Sequence, residues 1–302
     1  MRILMRISAA AITLLAAITI PATPSAAWGS YPVNWDTVSA IATGALFDVS
    51  PPGANRWFCH PSSTHPYPVV LVHGLLANQN ITWQALAPTL ANEGYCVYTF
   101  TYGKTWYSGN SGGIDDMRES ASQLASFINV VRSWTGASKV DLVGHSEGAN
   151  LSRLYIKENS GLNKVHTHVS LAGVNMGPPT ASGIITVAEQ IPGALDLLGG
   201  VCPACGQLTD QAWFDALNNP ATYPAINYTA IVTANDEAVT PVSLGYLPAA
   251  GNVSNLTIQA VCPADEVGHL GLPYDRTGVA MALNALDPAH PRAVPCDRGF
   301  PL

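Results

Sequence analysis

KVDLVGHSEGANLSRLYIKE, residues 139–158, places a short apolar run before a glycine-flanked serine and a helical pattern after it. Val140 to Val143 is predicted as a strand and Asn150 to Lys157 as a helix. The two glycines that flank the motif let the strand and the helix approach closely, because glycine has no side chain. The stretch therefore predicts a nucleophile elbow, a tight strand-to-helix turn that lifts the hydroxyl of Ser146 clear of a sheet.

The same alternation of strands and helices continues on both sides of this turn. Short apolar runs that stop at a glycine or a polar cluster are typical of strands buried on both faces of a parallel sheet. The further predicted strands are residues 67–74, 95–103, 166–173, 226–236 and 253–262. The predicted helices flanking them are residues 81–94 and 114–134. The fold class is therefore α/β, with a mostly parallel central sheet flanked by helices.

The chain is predicted to hold one domain, over residues 28–302. It begins with an irregular approach, residues 28–67, rich in proline and glycine. Residues 176–225 interrupt the strand and helix pattern and are predicted to form a small cap insertion. The insertion follows the strand after the elbow helix, so it should overhang the carboxyl ends of the strands.

Composition argues against several classes of protein. The 302 residues are 48% hydrophobic and 11% charged, and the formal net charge is −7. This describes a globular chain with a sizeable core, and its scattered basic residues favour neither a nucleic-acid partner nor an anionic membrane. The sequence has no cluster of metal ligands and no glycine-rich phosphate loop, so we expect no metal and no cofactor. No stable protein partner is inferred.

The amino-terminal residues have the pattern of a secretory signal peptide. Arg2 and Arg6 precede an apolar run from Ile7 to Ile20, and small residues follow. Cleavage after Ala27 would leave Ser25 and Ala27 at the small-residue positions. A membrane anchor is the alternative, which the short run and its nearby prolines disfavour. Residues 1–27 are therefore predicted to be removed, and the mature protein to be secreted.

Export determines how the cysteines are interpreted. The six cysteines are Cys59, Cys96, Cys202, Cys205, Cys262 and Cys296. An even number in an exported chain predicts disulfides, but three bridges allow fifteen pairings. The Cys-Pro-Ala-Cys stretch could indicate a redox or zinc motif, yet no second pair matches it. We therefore favour a local bridge between Cys202 and Cys205.

A serine hydroxyl needs a general base, and in this type of fold an acid and then a histidine follow it along the chain. Asp236 and Glu237 follow a predicted strand, and His269 follows the last one. His290 is the other histidine beyond the acids, but it lies in a proline-rich tail. The order predicts a triad of Ser146, Asp236 and His269, with Asp236 preferred to its neighbour.

Two backbone N–H groups should stabilise the oxyanion that develops during attack on a carbonyl carbon. The N–H of Glu147 directly follows the nucleophile, and the N–H of Leu75 follows the strand that ends at His73-Gly74. His73 is interpreted as structural, a ring that fixes the loop through hydrogen bonds. His145 is interpreted as a spacer, because adjacent residues on such a turn point apart.

Five segments together resemble the secreted bacterial class 2 triacylglycerol lipases of the α/β-hydrolase superfamily. They are PVVLVHG, GYCVYTFTYG, KVDLVGHSEG, TANDEAVTP and GHLGLPYD, and the similarity runs from about Pro68 to Asp287. The resemblance implies the α/β-hydrolase fold, the triad and the two oxyanion N–H groups at the positions given above. It also implies disulfides Cys59–Cys96, Cys202–Cys205 and Cys262–Cys296. The family often has glutamine where this chain has Glu147. The glutamate would add a negative charge near the site.

The favoured function is that of a secreted serine ester hydrolase, a triacylglycerol lipase that forms an acyl-enzyme. Short-chain carboxylesterase or polyester hydrolase with the same triad is the alternative, and a catalytically inactive binding module is a third. A lipid or another ester, which could be met at a lipid–water interface, is the expected substrate. The apolar residues of the cap, Ile184, Ile185, Val187, Ala188, Ile191, Leu195, Leu197 and Leu198, are predicted to line an acyl channel or to pack as an ordinary helix.

Overall fold

The computed structural model describes residues 30–198 and 201–302, and a parallel sheet runs through this part of the chain. Its six strands are β1 Val69–Val72, β2 Val97–Thr99, β3 Val140–His145, β4 Val165–Leu171, β5 Asn227–Val232 and β6 Val253–Thr257. They lie in the order β2-β1-β3-β4-β5-β6, and every neighbouring pair is parallel. The predicted α/β class is confirmed. The elbow strand β3 lies at the centre of the sheet.

Helices cover both faces of the sheet. They are α1 Thr37–Leu46, α2 Gln79–Trp83, α3 Leu86–Asn92, α4 Met117–Thr135, α5 Glu147–Glu158, α6 Ala181–Glu189, α7 Ala194–Leu198, α8 Pro203–Leu208, α9 Gln211–Leu217, α10 Ile258–Val261 and α11 Arg276–Leu286. Short 3₁₀ helices span Val242–Gly245 and Leu272–Tyr274.

Strand β1 shows how the two layers of the core are divided. All four of its residues are buried, as predicted for a strand covered on both faces. Val70 and Val72 pack in the layer that holds α4 and α5, and Val69 and Leu71 pack in the layer that holds α3 and α11. The division follows from the strand period of two, which sends successive side chains to opposite faces.

Three predicted elements differ from the structure. Residues 28–67, predicted as irregular, contain α1, whose first turn is capped by the side chain of Asp36. Residues 81–94, predicted as one helix, form part of α2 and all of α3, separated by Gln84 and Ala85. Residues 253–262, predicted as one strand, form the edge strand β6 and then α10, whose turn places Cys262 opposite Cys296.

The described part of the cap insertion contains helices joined by turns. Helices α6 to α9 lie within residues 176–225, between β4 and β5. Tyr31 to Leu302 form one compact unit, and the division into a single domain with a cap stays a prediction. The predicted signal peptide, residues 1–27, lies outside the described residues. No helix in the described ranges has the length and apolar character needed to cross a membrane.

Three disulfides join the six cysteines. They are Cys59–Cys96, Cys202–Cys205 and Cys262–Cys296. The pairing implied by the family resemblance is confirmed, and no cysteine of the chain is left as a free thiol. The first bridge ties the segment before β1 to β2, and the last ties α10 to the carboxyl-terminal residues.

Candidate active site

Ser146 lies in the strand-to-helix turn between β3 and α5, in the strained backbone conformation that an elbow requires. Its φ is 53° and its ψ is −123°, a left-handed region that residues with a side chain rarely adopt. A Cβ on Gly144 would lie 2.5 Å from the Cα of Ala149, and one on Gly148 would lie 2.1 Å from the carbonyl oxygen of Val72. Both glycines are therefore required by close packing, as the sequence motif predicted.

The structure brings the three predicted triad side chains together. The Nε2 atom of His269 lies 2.8 Å from the Oγ atom of Ser146. The Nδ1 atom of His269 lies 3.0 Å and 3.1 Å from the two carboxylate oxygens of Asp236. A histidine held between a carboxylate and a serine hydroxyl has the geometry needed to accept the hydroxyl proton. His290 lies elsewhere, bonded to Asp287.

Asp236 is fixed by its own turn, and its charge acts on the histidine. Its Oδ1 atom accepts hydrogen bonds from the backbone N–H groups of Ala238 at 3.0 Å and Val239 at 2.7 Å. Burial lowers the pKa of His269. The Asp236 charge, its hydrogen bond and the Glu237 charge together raise that pKa by more, so it lies above the ordinary 6.5.

Two backbone N–H groups beside Ser146 are available as oxyanion donors. Neither the N–H of Leu75 nor that of Glu147 has an acceptor among the described residues. A Cβ on Gly74 would lie 3.1 Å from the Cβ of Ser146, so the Gly74-Leu75 segment adjoins the serine. Unpaired donors beside a nucleophile are what an oxyanion hole requires.

His73 holds this segment in the way that the sequence predicted. Its Nδ1 atom lies 2.8 Å from the carbonyl oxygen of Gly74, and the backbone N–H of Tyr102 donates to its Nε2 atom at 3.3 Å. Burial lowers the pKa of His73 to about 4. The ring is therefore neutral, with Nδ1–H as the donor and Nε2 as the acceptor, and its structural interpretation is confirmed.

Burial disfavours the negative charge that the sequence suggested at Glu147. The side chain is fully buried, and burial raises its pKa well above the ordinary value. It forms no ion pair within the described residues. Its Oε1 atom instead lies 3.1 Å from the hydroxyl oxygen of Tyr102, a residue that the sequence interpretation did not single out.

The backbone of His269 is held on three sides by contacts that sequence reasoning missed. Glu237 Oε2 accepts from its N–H at 2.9 Å, and His145 Nε2 lies 2.9 Å from its carbonyl oxygen. Burial lowers the pKa of His145 to about 3, so this ring is neutral and donates through Nε2–H. His145 is therefore more than a spacer. Asp236 and Glu237 are neighbours that bind different parts of one histidine.

The third support is the carboxyl-terminal segment. The N–H groups of Glu266, Gly268 and Gly271 donate to the carbonyl oxygens of Arg298, Phe300 and Leu302, at 2.7, 2.8 and 2.5 Å. The loop that carries His269 thus pairs with residues 298–302. The disulfide between Cys262 and Cys296 joins the residues that precede these two segments. The paired segments have no side-chain pattern from which the sequence could have revealed them.

An apolar pocket opens beside Ser146. Its lining includes Ile184, Val187 and Ile191 from the cap, together with Ile41 from α1. Both predicted alternatives therefore apply to parts of the cap, since three of its apolar residues line the pocket and others do not. Ile185 is 48% exposed and Leu195 is 49% exposed, since both lie on the outer side of their helices. The contribution of α1 was missed because residues 28–67 were predicted as irregular.

Within the described ranges, no group of three or more histidine, cysteine, aspartate or glutamate side chains is arranged to hold a metal ion.

This fold and this arrangement of serine, histidine and aspartate define the α/β-hydrolase class. Solved structures share the fold, among them two lipases. Lipase B of Aspergillus fumigatus is 18% identical, with 83% of this chain and 62% of that chain covered and a TM-score of 0.59. The mature form of the Bacillus licheniformis lipase BlEst2 is 17% identical, with 75% and 94% covered and a TM-score of 0.55.

Residues 66–248 match the family described as lipase (class 2), and the chain belongs to that family. Triacylglycerol lipases of Pseudarthrobacter phenanthrenivorans and Vibrio cholerae are similar to it, 35% identical over 95 residues and 30% identical over 135 residues. The two matches cover 29% and 41% of this chain. They span 27% and 40% of those lipases, so less than half of each relative is matched.

Proposed function

We propose that the chain is a secreted serine ester hydrolase that cleaves fatty-acyl esters, with triacylglycerols as the favoured substrates. The observation that carries the proposal is the 2.8 Å separation between His269 Nε2 and Ser146 Oγ, with a buried carboxylate on the far side of the imidazole. Membership of the class 2 lipase family supports the same reaction. Three disulfides support export, for which residues 1–27 would be the signal peptide.

In the proposed reaction, the Oγ atom of Ser146 attacks the carbonyl carbon of the ester while His269 Nε2 takes its proton. The carbonyl oxygen becomes an oxyanion that accepts hydrogen bonds from the N–H groups of Leu75 and Glu147. His269 then returns the proton to the departing alcohol, which leaves an acyl-serine. Water, deprotonated by the same imidazole, attacks the acyl-serine, and the imidazolium then gives this proton to the Oγ atom of Ser146 as the fatty acid leaves. Asp236 keeps the imidazole oriented and stabilises its charged form.

The apolar pocket favours an acyl chain over a small acid. Each methylene that the pocket buries stabilises the bound chain by up to ~0.8 kcal/mol. Cap residues Ile184, Val187 and Ile191 supply part of the lining, so the cap acts on the acyl group rather than on the bond that breaks. An esterase or polyester hydrolase would use the same triad with a different preference for chain length.

Release of p-nitrophenol from its acyl esters tests the proposal. Wild-type protein should release it, and Ser146→Ala should not, since the attacking oxygen is gone. Equal rates for the two proteins would contradict the hydrolase assignment and favour a binding module. A profile from acetyl to palmitoyl esters, on soluble and emulsified substrates, then separates lipase from esterase. If acetyl esters give the highest kcat/KM, the lipase assignment gives way to esterase.

A further inference from the structure

The carboxyl group of Glu147 is enclosed in a way that a carboxylate does not tolerate. The side chain has no exposed surface, and its Oε2 atom has no hydrogen-bond partner among the described residues. In the part of the chain that the structure describes, the polar contact of its carboxyl group is with the hydroxyl of Tyr102, 3.1 Å from Oε1. Burying an ion with neither a counter-ion nor a full set of donors costs several kcal/mol, and such a group takes up a proton instead.

The hydroxyl of Tyr102 has two oxygen neighbours and a single hydrogen. Its oxygen is 2.7 Å from the carbonyl oxygen of His73 and 3.1 Å from Glu147 Oε1. A phenol has one hydrogen, and a backbone carbonyl can only accept, so the Tyr102 hydrogen points to His73. With that hydrogen directed to His73, the 3.1 Å contact becomes a full hydrogen bond when Glu147 is protonated and donates to the Tyr102 oxygen. In this arrangement the O–H of a protonated Glu147 donates to Tyr102, and the O–H of Tyr102 donates to the carbonyl of His73.

These two hydrogen bonds, from Glu147 through Tyr102 to His73, are here called the relay. The relay joins the two segments that would supply the oxyanion donors. Glu147 carries one N–H on its own backbone, at the first residue of α5. His73 lies two residues before Leu75, which carries the other. The ring of Tyr102 stacks on the ring of His73, with centroids 4.2 Å apart and planes 17° apart. A shift in either segment would stretch this buried relay.

The backbone of Gly113 packs directly against the relay. Its φ is +69°, and a Cβ there would lie 3.0 Å from the carbonyl oxygen of Gly74, 3.1 Å from the Cα of Leu75 and 3.3 Å from Glu147 Oε1. Its backbone N–H donates to the carbonyl oxygen of Tyr102 at 2.8 Å. Backbone thus covers the hydrogen bonds directly, and in a water-poor setting such bonds fix geometry more firmly than they do in water.

We propose that Glu147, as a neutral carboxylic acid, and Tyr102 are positioning residues that hold the two oxyanion N–H groups at a fixed separation. The inference rests on the proposed function and adds two side chains that touch neither the substrate nor the reacting atoms. Their effect belongs to the transition state, because the oxyanion is absent from the bound ester. Their removal therefore lowers kcat and leaves KM nearly unchanged.

The kinetic test compares two buried tyrosines. Tyr102→Phe keeps the ring and removes the hydroxyl, and we expect kcat for p-nitrophenyl esters to fall about tenfold or more. Tyr98→Phe is the matched control, since its hydroxyl donates to the carbonyl of Arg56, away from Ser146. Equal kcat values for these two variants would overturn the inference. If wild type and Ser146→Ala were equally active, the proposed function itself would fail first.

A glutamine substitution tests the neutral acid. The amide introduced by Glu147→Gln can donate to the hydroxyl of Tyr102 without any charge, so this variant should keep a higher kcat than Glu147→Ala. An equal loss of kcat in both variants would contradict the proposal that Glu147 donates to Tyr102. Glu158→Gln, at the other end of α5 and exposed, serves as the control for the substitution.

Infrared spectroscopy tests the proton directly and does not depend on activity. The wild-type minus Glu147→Gln difference spectrum at neutral pH should contain the carbonyl stretch of a protonated carboxylic acid. The matching difference for Glu158→Gln should contain carboxylate bands. Carboxylate bands in the Glu147 difference would show an ionised side chain and overturn the proposal, whatever the kinetics of the variants.

Discussion

The carboxylate of Glu237 accepts a hydrogen bond from the backbone N–H of His269, while its neighbour Asp236 contacts the ring of the same histidine. Consecutive acidic residues thus bind the backbone and the side chain of one histidine. Asp236 orients the imidazole toward Ser146, and Glu237 fixes the loop from which the imidazole extends. The chemistry proposed for the site therefore depends on the two carboxylates to different degrees.

Asp236→Asn should lower kcat by about 10⁴-fold, because asparagine can stabilise the wrong imidazole tautomer and cannot offset the charge of the imidazolium. Glu237→Gln should change kcat little, because a glutamine carbonyl oxygen can still accept from the N–H of His269. Steady-state rates on one soluble ester measure both. A large loss in Glu237→Gln with a small loss in Asp236→Asn would reverse the assignment of the acid.

The pH dependence should show His269 titrating above the ordinary value of 6.5. His269 acts as a base only when neutral, and its pKa is raised in the folded protein, so kcat/KM should fall on the acid side of that raised pKa. Glu237→Gln removes one of the charges that raise the pKa of His269. The acid limb, the fall of kcat/KM at low pH, should therefore move to lower pH. An acid limb that is unchanged, or moved to higher pH, would contradict this account of the electrostatics.

Adjacent isoleucines of the cap offer a matched test of chain-length preference. Ile184 lines the pocket and Ile185 faces solvent. Ile184→Asp places a charge against the acyl chain, so it should narrow the ratio of octanoyl to acetyl kcat/KM. Ile185→Asp adds the same group outside the pocket and should leave the ratio near that of the wild type. Equal effects of the two substitutions would show that α6 does not bind the acyl chain.

The disulfides should differ in their contribution to stability. Cys262–Cys296 links residues 34 apart in sequence, whereas Cys202–Cys205 links residues 3 apart. A longer closed loop restricts the unfolded chain more, so replacing both cysteines of the long bridge by alanine should lower the free energy of unfolding by about 2–4 kcal/mol. Replacing Cys202 and Cys205 by alanine should lower the free energy of unfolding by less. Urea unfolding curves measure both.

Residue type and chain order predicted which side chains the structure brings together at the candidate site. The elbow, the three predicted triad positions and the two oxyanion segments follow from glycine spacing and from where apolar runs stop. The disulfide pairing followed from resemblance, since cysteine spacing alone left it open. The class of the fold followed from the alternation of apolar runs with helical patterns.

Other features depend on contacts between distant segments, which a single sequence does not encode in its periodicity. Helix α1 has threonine, valine and glycine, which are weak helix formers, and Asp36 at its cap was the one local signal of a helix. Its Gly44 lies so close to α2 that a Cβ would be 2.5 Å from the N atom of Ile81. Packing therefore stabilises α1, and no propensity rule could place it over the pocket.

Glu147 shows the same limit for electrostatics. A glutamate beside a nucleophile is interpreted as a charge, because sequence gives its identity and not its burial. The hydroxyl of Tyr102 and the covering backbone of Gly113 come from a segment about 40 residues earlier in the chain. These neighbours change the group from an anion into a neutral donor.

The pairing of the His269 loop with residues 298–302 has a consequence for the order of biosynthesis. The ribosome makes Ser146, Asp236 and His269 before it makes the carbonyl groups that hold the loop of the histidine. A nascent chain that ends before residue 298 thus contains every side chain of the proposed triad and lacks the segment that pairs with the loop of its base. Translation order thus places the synthesis of that segment, and its pairing with the loop of His269, after the synthesis of all three residues of the proposed triad.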